Sequence, residues 1–93
     1  MVRAVWIRET IAGSDDTVAV ENNHYFPLEA VLPGVLTPSP TTSTCPWKGT
    51  AGYDSVRVGD RDNRDSASFH AEPKAAAAEI AGRVAFWKGV EVG

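Results

Sequence analysis

The sequence predicts a mainly β domain of the α+β kind, spanning residues 1–93 as one unit, with two small antiparallel sheets and one short helix near the C-terminus. Three observations carry this expectation. Short runs of alternating apolar and polar residues, the period of a strand, recur along the chain. Turn-forming clusters separate them, at Gly13-Ser14-Asp15-Asp16, Asn22-Asn23 and Gly59-Asp60-Arg61-Asp62-Asn63. Only Pro73 to Ala81 carries helical start and stop signals.

Val2 to Ile7 is apolar on both faces, with Val2, Ala4 and Trp6 on one and Val5 and Ile7 on the other, which suits a strand covered on both sides. Arg8-Glu9 offers a polar turn, after which Thr10-Ile11-Ala12 runs back. Thr17 to Glu21 is a third strand, and Asn22-Asn23 can take the left-handed conformations that a reversal needs, closing a meander near Tyr25. Pro27 to Leu32 can form one helical turn, which Pro33-Gly34 stops. Between Pro33 and Thr44 lie prolines and hydroxyl residues, a loop by composition. A loop this long is uncommon unless it covers something, so it is read as a pocket rim, with Thr41, Thr42, Ser43 and Thr44 as hydroxyl donors.

Beyond it, Tyr53 to Val58 alternates as a half-buried strand and Arg64 to His70 returns. Pro73 at a first helical position, four alanines at 75–78 and Gly82 after Ile80-Ala81 frame about two turns of helix. So short a helix must dock on a sheet to persist, through Ala76, Ala77, Ile80 and Ala81. Arg83 to Trp87 is a further strand, and Val90 and Val92 finish the pattern.

Net charge of −3 and a pI near 5.2, without a basic run, argue against a nucleic-acid partner. A single cysteine rules out an intrachain disulfide. With no apolar signal core and no apolar run near the roughly 20 residues that span a bilayer, no membrane partner is expected, and the location expected is the cytoplasm.

Chemistry concentrates in Thr44-Cys45-Pro46-Trp47-Lys48-Gly49-Thr50-Ala51-Gly52-Tyr53, which puts a thiol, an ammonium, an indole and a phenol within one bend. Zinc would want about four ligands, and Cys45, His24 and His70 offer three without a Cys-x-x-Cys pair, so neither a metal nor another cofactor is expected. Cys45 as a nucleophile would need a base or cation to lower its pKa, and Lys48 or a histidine could supply it; otherwise the thiol is packing. Lys48-Gly49-Thr50 inverts the Gly-Lys-Thr order of a phosphate loop. His24-Tyr25-Phe26-Pro27 could line a pocket or pack in the core. Gly13-Ser14 with Asp15-Asp16 invites a nucleotidyltransferase reading, but adjacent strand residues point to opposite faces and cannot share a metal. Asp60, Asp62 and Asp65 lack the glycine and distal glutamate of a calcium loop.

Several of these residues also form a pattern: Tyr25-Phe26-Pro27 and Glu29-Ala30-Val31, Thr44-Cys45-Pro46-Trp47-Lys48-Gly49 with Ala51 and Tyr53, then Pro73, Ile80-Ala81-Gly82 and Val84-Ala85-Phe86-Trp87. In this the chain resembles the domain-of-unknown-function 427 family, over nearly its whole length. The resemblance implies a compact, mostly antiparallel β-tent-like fold, in which some relatives carry a structural zinc and others hold a ligand in an aromatic cage. It implies no established activity. The chain departs from the pattern at Ser68-Phe69-His70, where a Trp-x-Tyr pair would stand.

The expected site is a pocket for a small ligand, anionic where it meets Lys48, formed by Tyr25, Thr44, Cys45, Trp47, Lys48, Gly49 and Tyr53. Trp47 and Tyr53 would give flat walls, and Gly49 and Gly52 close backbone approach. The rival classes are an enzyme using Cys45 or Lys48 and a module whose exposed aromatics meet another protein.

Overall fold

The computed structural model describes residues 1–93. Nine strands follow one another: β1 (Val2–Trp6), β2 (Glu9–Ser14), β3 (Val18–Val20), β4 (Asn23–Pro27), β5 (Leu36–Cys45), β6 (Gly49–Val58), β7 (Arg61–Phe69), β8 (Arg83–Phe86) and β9 (Glu91–Val92). They form a three-stranded sheet, β2-β1-β9, and a six-stranded sheet, β3-β4-β8-β7-β6-β5, antiparallel throughout. The mainly β, two-sheet expectation holds.

The main core lies between the sheets. Ala4, Ile11 and Ala12 of the small sheet meet Phe26, Val56, Ala67, Val84 and Phe86 of the large one, all of them buried. Phe26 and Phe86 pack edge to face at 5.7 Å and 64°, a favoured geometry for two aromatic quadrupoles. A second cluster, Tyr25, Ala77, Ile80 and Ala85, lies apart from this core. Because successive strand residues point to opposite faces, Tyr25 beside Phe26 and Ala85 between Val84 and Phe86 put that cluster on the other side of the large sheet.

Four expectations need correction. Pro33 to Thr44 is not a loop, since most of it is the ten-residue strand β5. β5 is the last strand of its sheet, where a proline's missing N–H removes no ladder bond, and its register slips between Pro38 and Thr42. Its hydroxyls bridge inward instead: Ser39 Oγ and Thr41 Oγ1 donate to the Asp65 carboxylate at 2.5 and 2.8 Å.

The helix expected from Pro73 to Ala81 is a 3-10 segment, Ala75–Ile80, broken at Ala77 (φ −124°, ψ 26°). Its flanks are pinned, Lys74 N donating to Lys48 O at 2.8 Å and Gly82 N to His70 O at 3.2 Å. A 3-10 segment rises about 2.0 Å per residue against about 1.5 Å for an α-helix, so it spans a fixed gap with fewer residues. Ala77 and Ile80, three residues apart and therefore stacked on one face, are its buried contacts. The earlier helical turn is likewise 3-10, over Leu28–Ala30.

The meander of the first four strands is also split. β3 pairs with β4 and not with β2, because Val18 and Val20 pack on the Tyr25 cluster and belong to the large sheet. Finally, the tight turns fall one residue earlier than expected, at Ile7-Arg8 (φ 44° and 68°) and Glu21-Asn22 (φ 52° and 67°). Two-residue hairpin loops with both central residues at positive φ match the twist of the strands they join.

Candidate functional site

The face of the large sheet that turns away from the small sheet is only partly covered. Asn23 and Tyr25 from β4, Ser43 and Cys45 from β5, Ala51 and Tyr53 from β6, and Ser68 from β7 with His70 just beyond it share one parity of the strand alternation. Ala85 of β8 and Trp87 just beyond it complete the face, with Tyr53, Ser68 and Ala85 in register across three strands. Together with Lys48, from the β5–β6 turn, these residues line a cavity of about 230 Å³.

That turn is built to hold Lys48. Cys45 pairs with Gly49 across a three-residue loop, Pro46-Trp47-Lys48, and Gly49 takes φ +103°, a conformation open to glycine. Lys74 fastens the loop twice, its N–H donating to Lys48 O and its Nζ to Pro46 O at 2.6 Å.

The Lys48 side chain is only 12% exposed, and its Nζ lies 2.7 Å from Glu21 Oε1. Burial pulls its pKa down and is the largest single influence, but the Glu21 hydrogen bond and the Tyr25 hydroxyl together outweigh it. The result is an ammonium held above its ordinary value, and therefore charged. His70 is the opposite case. It is buried, its Nδ1 has no hydrogen-bond partner, and burial followed by the Lys48 charge pushes its pKa below the usual 6.5. The cavity thus pairs a fixed cation with an uncharged, unsatisfied imidazole. Ser43 Oγ and Tyr53 OH share a hydrogen bond at 2.9 Å, and Trp87 Nε1 donates to Asp65 O at 2.6 Å.

Of the residues expected to form the site, Tyr25, Cys45, Lys48 and Tyr53 come together in this cavity. Three do not line it. Thr44 falls between Ser43 and Cys45 on β5, so its side chain points to the opposite face and is exposed. Trp47 is 38% exposed outside the cavity, with its ring centroid 5.6 Å from Lys48 Nζ. Gly49 lies against the backbone of Glu72 and Lys74. Gly52 admits the Phe69 ring and not a ligand, since a Cβ there would stand 2.6 Å from that ring.

His24 hydrogen-bonds Thr17 at 3.3 Å and does not reach the cavity. Thr41 is engaged by Asp65. Sequence reasoning missed Asn23, Ser68, Ala85 and Trp87 as lining residues, and weighed His70 as a metal ligand or a base for Cys45 but not as a wall of the pocket. The signal was present in the parity of each strand, but reading it required the register of β7 on β6. No three His, Cys, Asp or Glu side chains converge on a common point, and no helix is long and apolar enough to cross a membrane.

No curated protein matches the chain. The family model described as a domain of unknown function (DUF427) matches residues 1–92, so that with its two antiparallel sheets the chain belongs to the DUF427 family.

Proposed function

We propose that the domain binds a small polar molecule in the cavity on the open face of the large sheet, with Lys48 meeting its anionic group. The observation that carries this reading is that a nearly enclosed ammonium and a buried imidazole line one cavity together with two tyrosines and a tryptophan. A concave, aromatic-walled surface with a few convergent polar groups is the usual form of a small-molecule site. Tyr25, Tyr53 and Trp87 supply flat walls. A volume of about 230 Å³ is below the roughly 300–1,000 Å³ of drug-sized pockets, which favours a compact ligand.

Native mass spectrometry of the protein from its own cell, together with protein-observed NMR against a panel of small anions, amides and heterocycles, tests this. A retained molecule, or a panel member whose binding perturbs the Tyr25, Tyr53 and His70 resonances, is the expected result. The absence of both would sink the reading and favour a protein-interaction surface. A second reading, an enzyme with Cys45 as nucleophile, is favoured by one observation: Cys45 lines the same cavity as His70 and Lys48. Alkylation of Cys45 across pH separates the two, since a catalytic thiol reacts as thiolate well below the free-cysteine pKa of about 8.5.

A further inference from the structure

The ion pair at the cavity is lopsided. Lys48 is nearly enclosed at 12% exposure, whereas Glu21 is 55% exposed and is not among the lining residues. Glu21 reaches in from the β3–β4 turn, where it takes φ 52° beside Asn22 at φ 67°. Such positions ordinarily go to Gly, Asn or Asp, because a longer L side chain is strained there. A glutamate that accepts this backbone places its carboxylate 2.7 Å from the one cation of the site.

Resting on the reading of the cavity as a ligand site, we propose that Glu21 is a built-in substitute for the ligand's own carboxylate. The ligand is a small monocarboxylate with a single ring or short apolar body, and its carboxylate replaces Glu21 on Lys48. Three features converge on this class. The site holds one ammonium and no arginine among its lining residues, which suits one negative charge better than a phosphate dianion. Glu21 already demonstrates that a carboxylate fits the ammonium. Tyr53 and Trp87 offer flat surface to the body of the ligand, over a floor that includes Ala85.

Exchange is easy on energetic grounds. A pair with one solvent-exposed member is weak and salt-screened, so an incoming carboxylate that also buries an apolar body outcompetes it. Glu21 then swings back to water on its turn, and the cation is never left bare.

The test uses benzoate as the probe and benzamide as its uncharged match, titrated calorimetrically into the parent, Glu21→Gln and Lys48→Met. Glu21→Gln is expected to bind benzoate about two- to fivefold more tightly than the parent, the range set by the strength of an exposed pair. Benzamide affinity stays the same in both, and Lys48→Met loses benzoate at least about tenfold, as expected for a charged hydrogen bond. Glu21→Asn, whose side chain suits positive φ, repeats the measurement in case the glutamine variant folds poorly, and thermal melts verify both.

Equal or weaker benzoate binding by the Glu21 variants than by the parent overturns the proposal while leaving the cavity as a ligand site. Failure of benzoate to bind any form, while another molecule occupies the cavity in the NMR panel, removes the carboxylate class alone. If nothing occupies the cavity, both readings fall.

Discussion

Replacing Gly49 with alanine isolates the device that positions Lys48. Gly49 takes φ +103°, beyond the left-handed well, and a Cβ there would meet Lys74 N at 3.4 Å, an ordinary contact. Its penalty is therefore conformational, about 1 to 3 kcal/mol for an L-residue in so sparse a region. Gly59 is the control, because it takes φ +61°, inside the left-handed well, with nothing within 4 Å of its would-be Cβ. There the penalty of about 1 to 2 kcal/mol is largely offset by the roughly 0.4 to 1 kcal/mol that alanine gains by restricting the unfolded chain. The same gain applies at Gly49, so Gly59→Ala should lose about 0.8 kcal/mol and Gly49→Ala about 1.3 kcal/mol. A domain of this size has on the order of 5 to 14 kcal/mol in hand, so both fold. Urea denaturation followed by tryptophan fluorescence reads both, with unchanged slopes indicating that the same surface is exposed. If Gly49→Ala is no less stable than Gly59→Ala, the turn does not depend on the glycine, and its geometry is not what aims Lys48.

Four further outcomes follow from the charges and turns. Lys48→Met should raise the His70 pKa toward 6.5 without reaching it, since burial is the first cause of its depression and the Lys48 charge the second; an unmoved His70 NMR titration would separate the two residues. Because that pKa is depressed on folding, the stability His70 contributes is complete above about pH 6.5 and falls as pH drops through the folded value, a loss that His70→Gln should remove from melting curves recorded between pH 7 and 5. Asp65 is held below its usual 3.8 by Ser39 and then Thr41, so Ser39→Ala should move its carboxyl titration upward when followed by carbon NMR. Ile7 is β-branched at φ 44° in the β1–β2 turn and 39% exposed, so Ile7→Asn should stabilise by about 0.5 kcal/mol and raise the urea midpoint; a lower midpoint would mean that the isoleucine packing outweighs the strain.

How much of this was legible in the sequence depended on whether the signal was local. Strand alternation in Val2–Trp6 and Arg83–Phe86 was readable because it needs only neighbouring residues. β5 was hidden because proline and hydroxyl content signals a loop, and only its place at the edge of a sheet makes that composition acceptable for a strand. The alanine-rich segment looked helical by propensity, but its ends are tied to Lys48 and His70 by hydrogen bonds between residues far apart in the chain. The site divided in the same way. Cys45, Lys48 and Tyr53 were found through chemistry concentrated in one bend, whereas His70, Ser68 and Ala85 reach the cavity through strand register. Glu21 was overlooked altogether, because nothing near position 21 announces a partner at position 48.

The cavity exists because small side chains stand in adjacent strands, Ala51 on β6, Ser68 on β7 and Ala85 on β8. On the opposite face the same strands carry Val56, Ala67, Val84 and Phe86, and the space is filled. A stretch left unfilled forgoes dispersion contacts that a larger residue would make, so the small residues are costly to stability unless something else occupies the space. Ser68→Val puts this to the test. Ser68 is half-buried, makes no side-chain hydrogen bond and lies in a central strand, where a β-branched residue is at home. Filling the cavity there should stabilise the empty protein by about 0.5 to 1 kcal/mol, as cavity-filling changes commonly do. The same change should weaken any cavity ligand at least about tenfold by occupying its place, so stability and binding move in opposite directions. Chemical denaturation and calorimetry on one preparation measure both. A destabilised Ser68→Val would mean that the face is already well packed, and the cavity would then be a surface dimple with no room for a ligand.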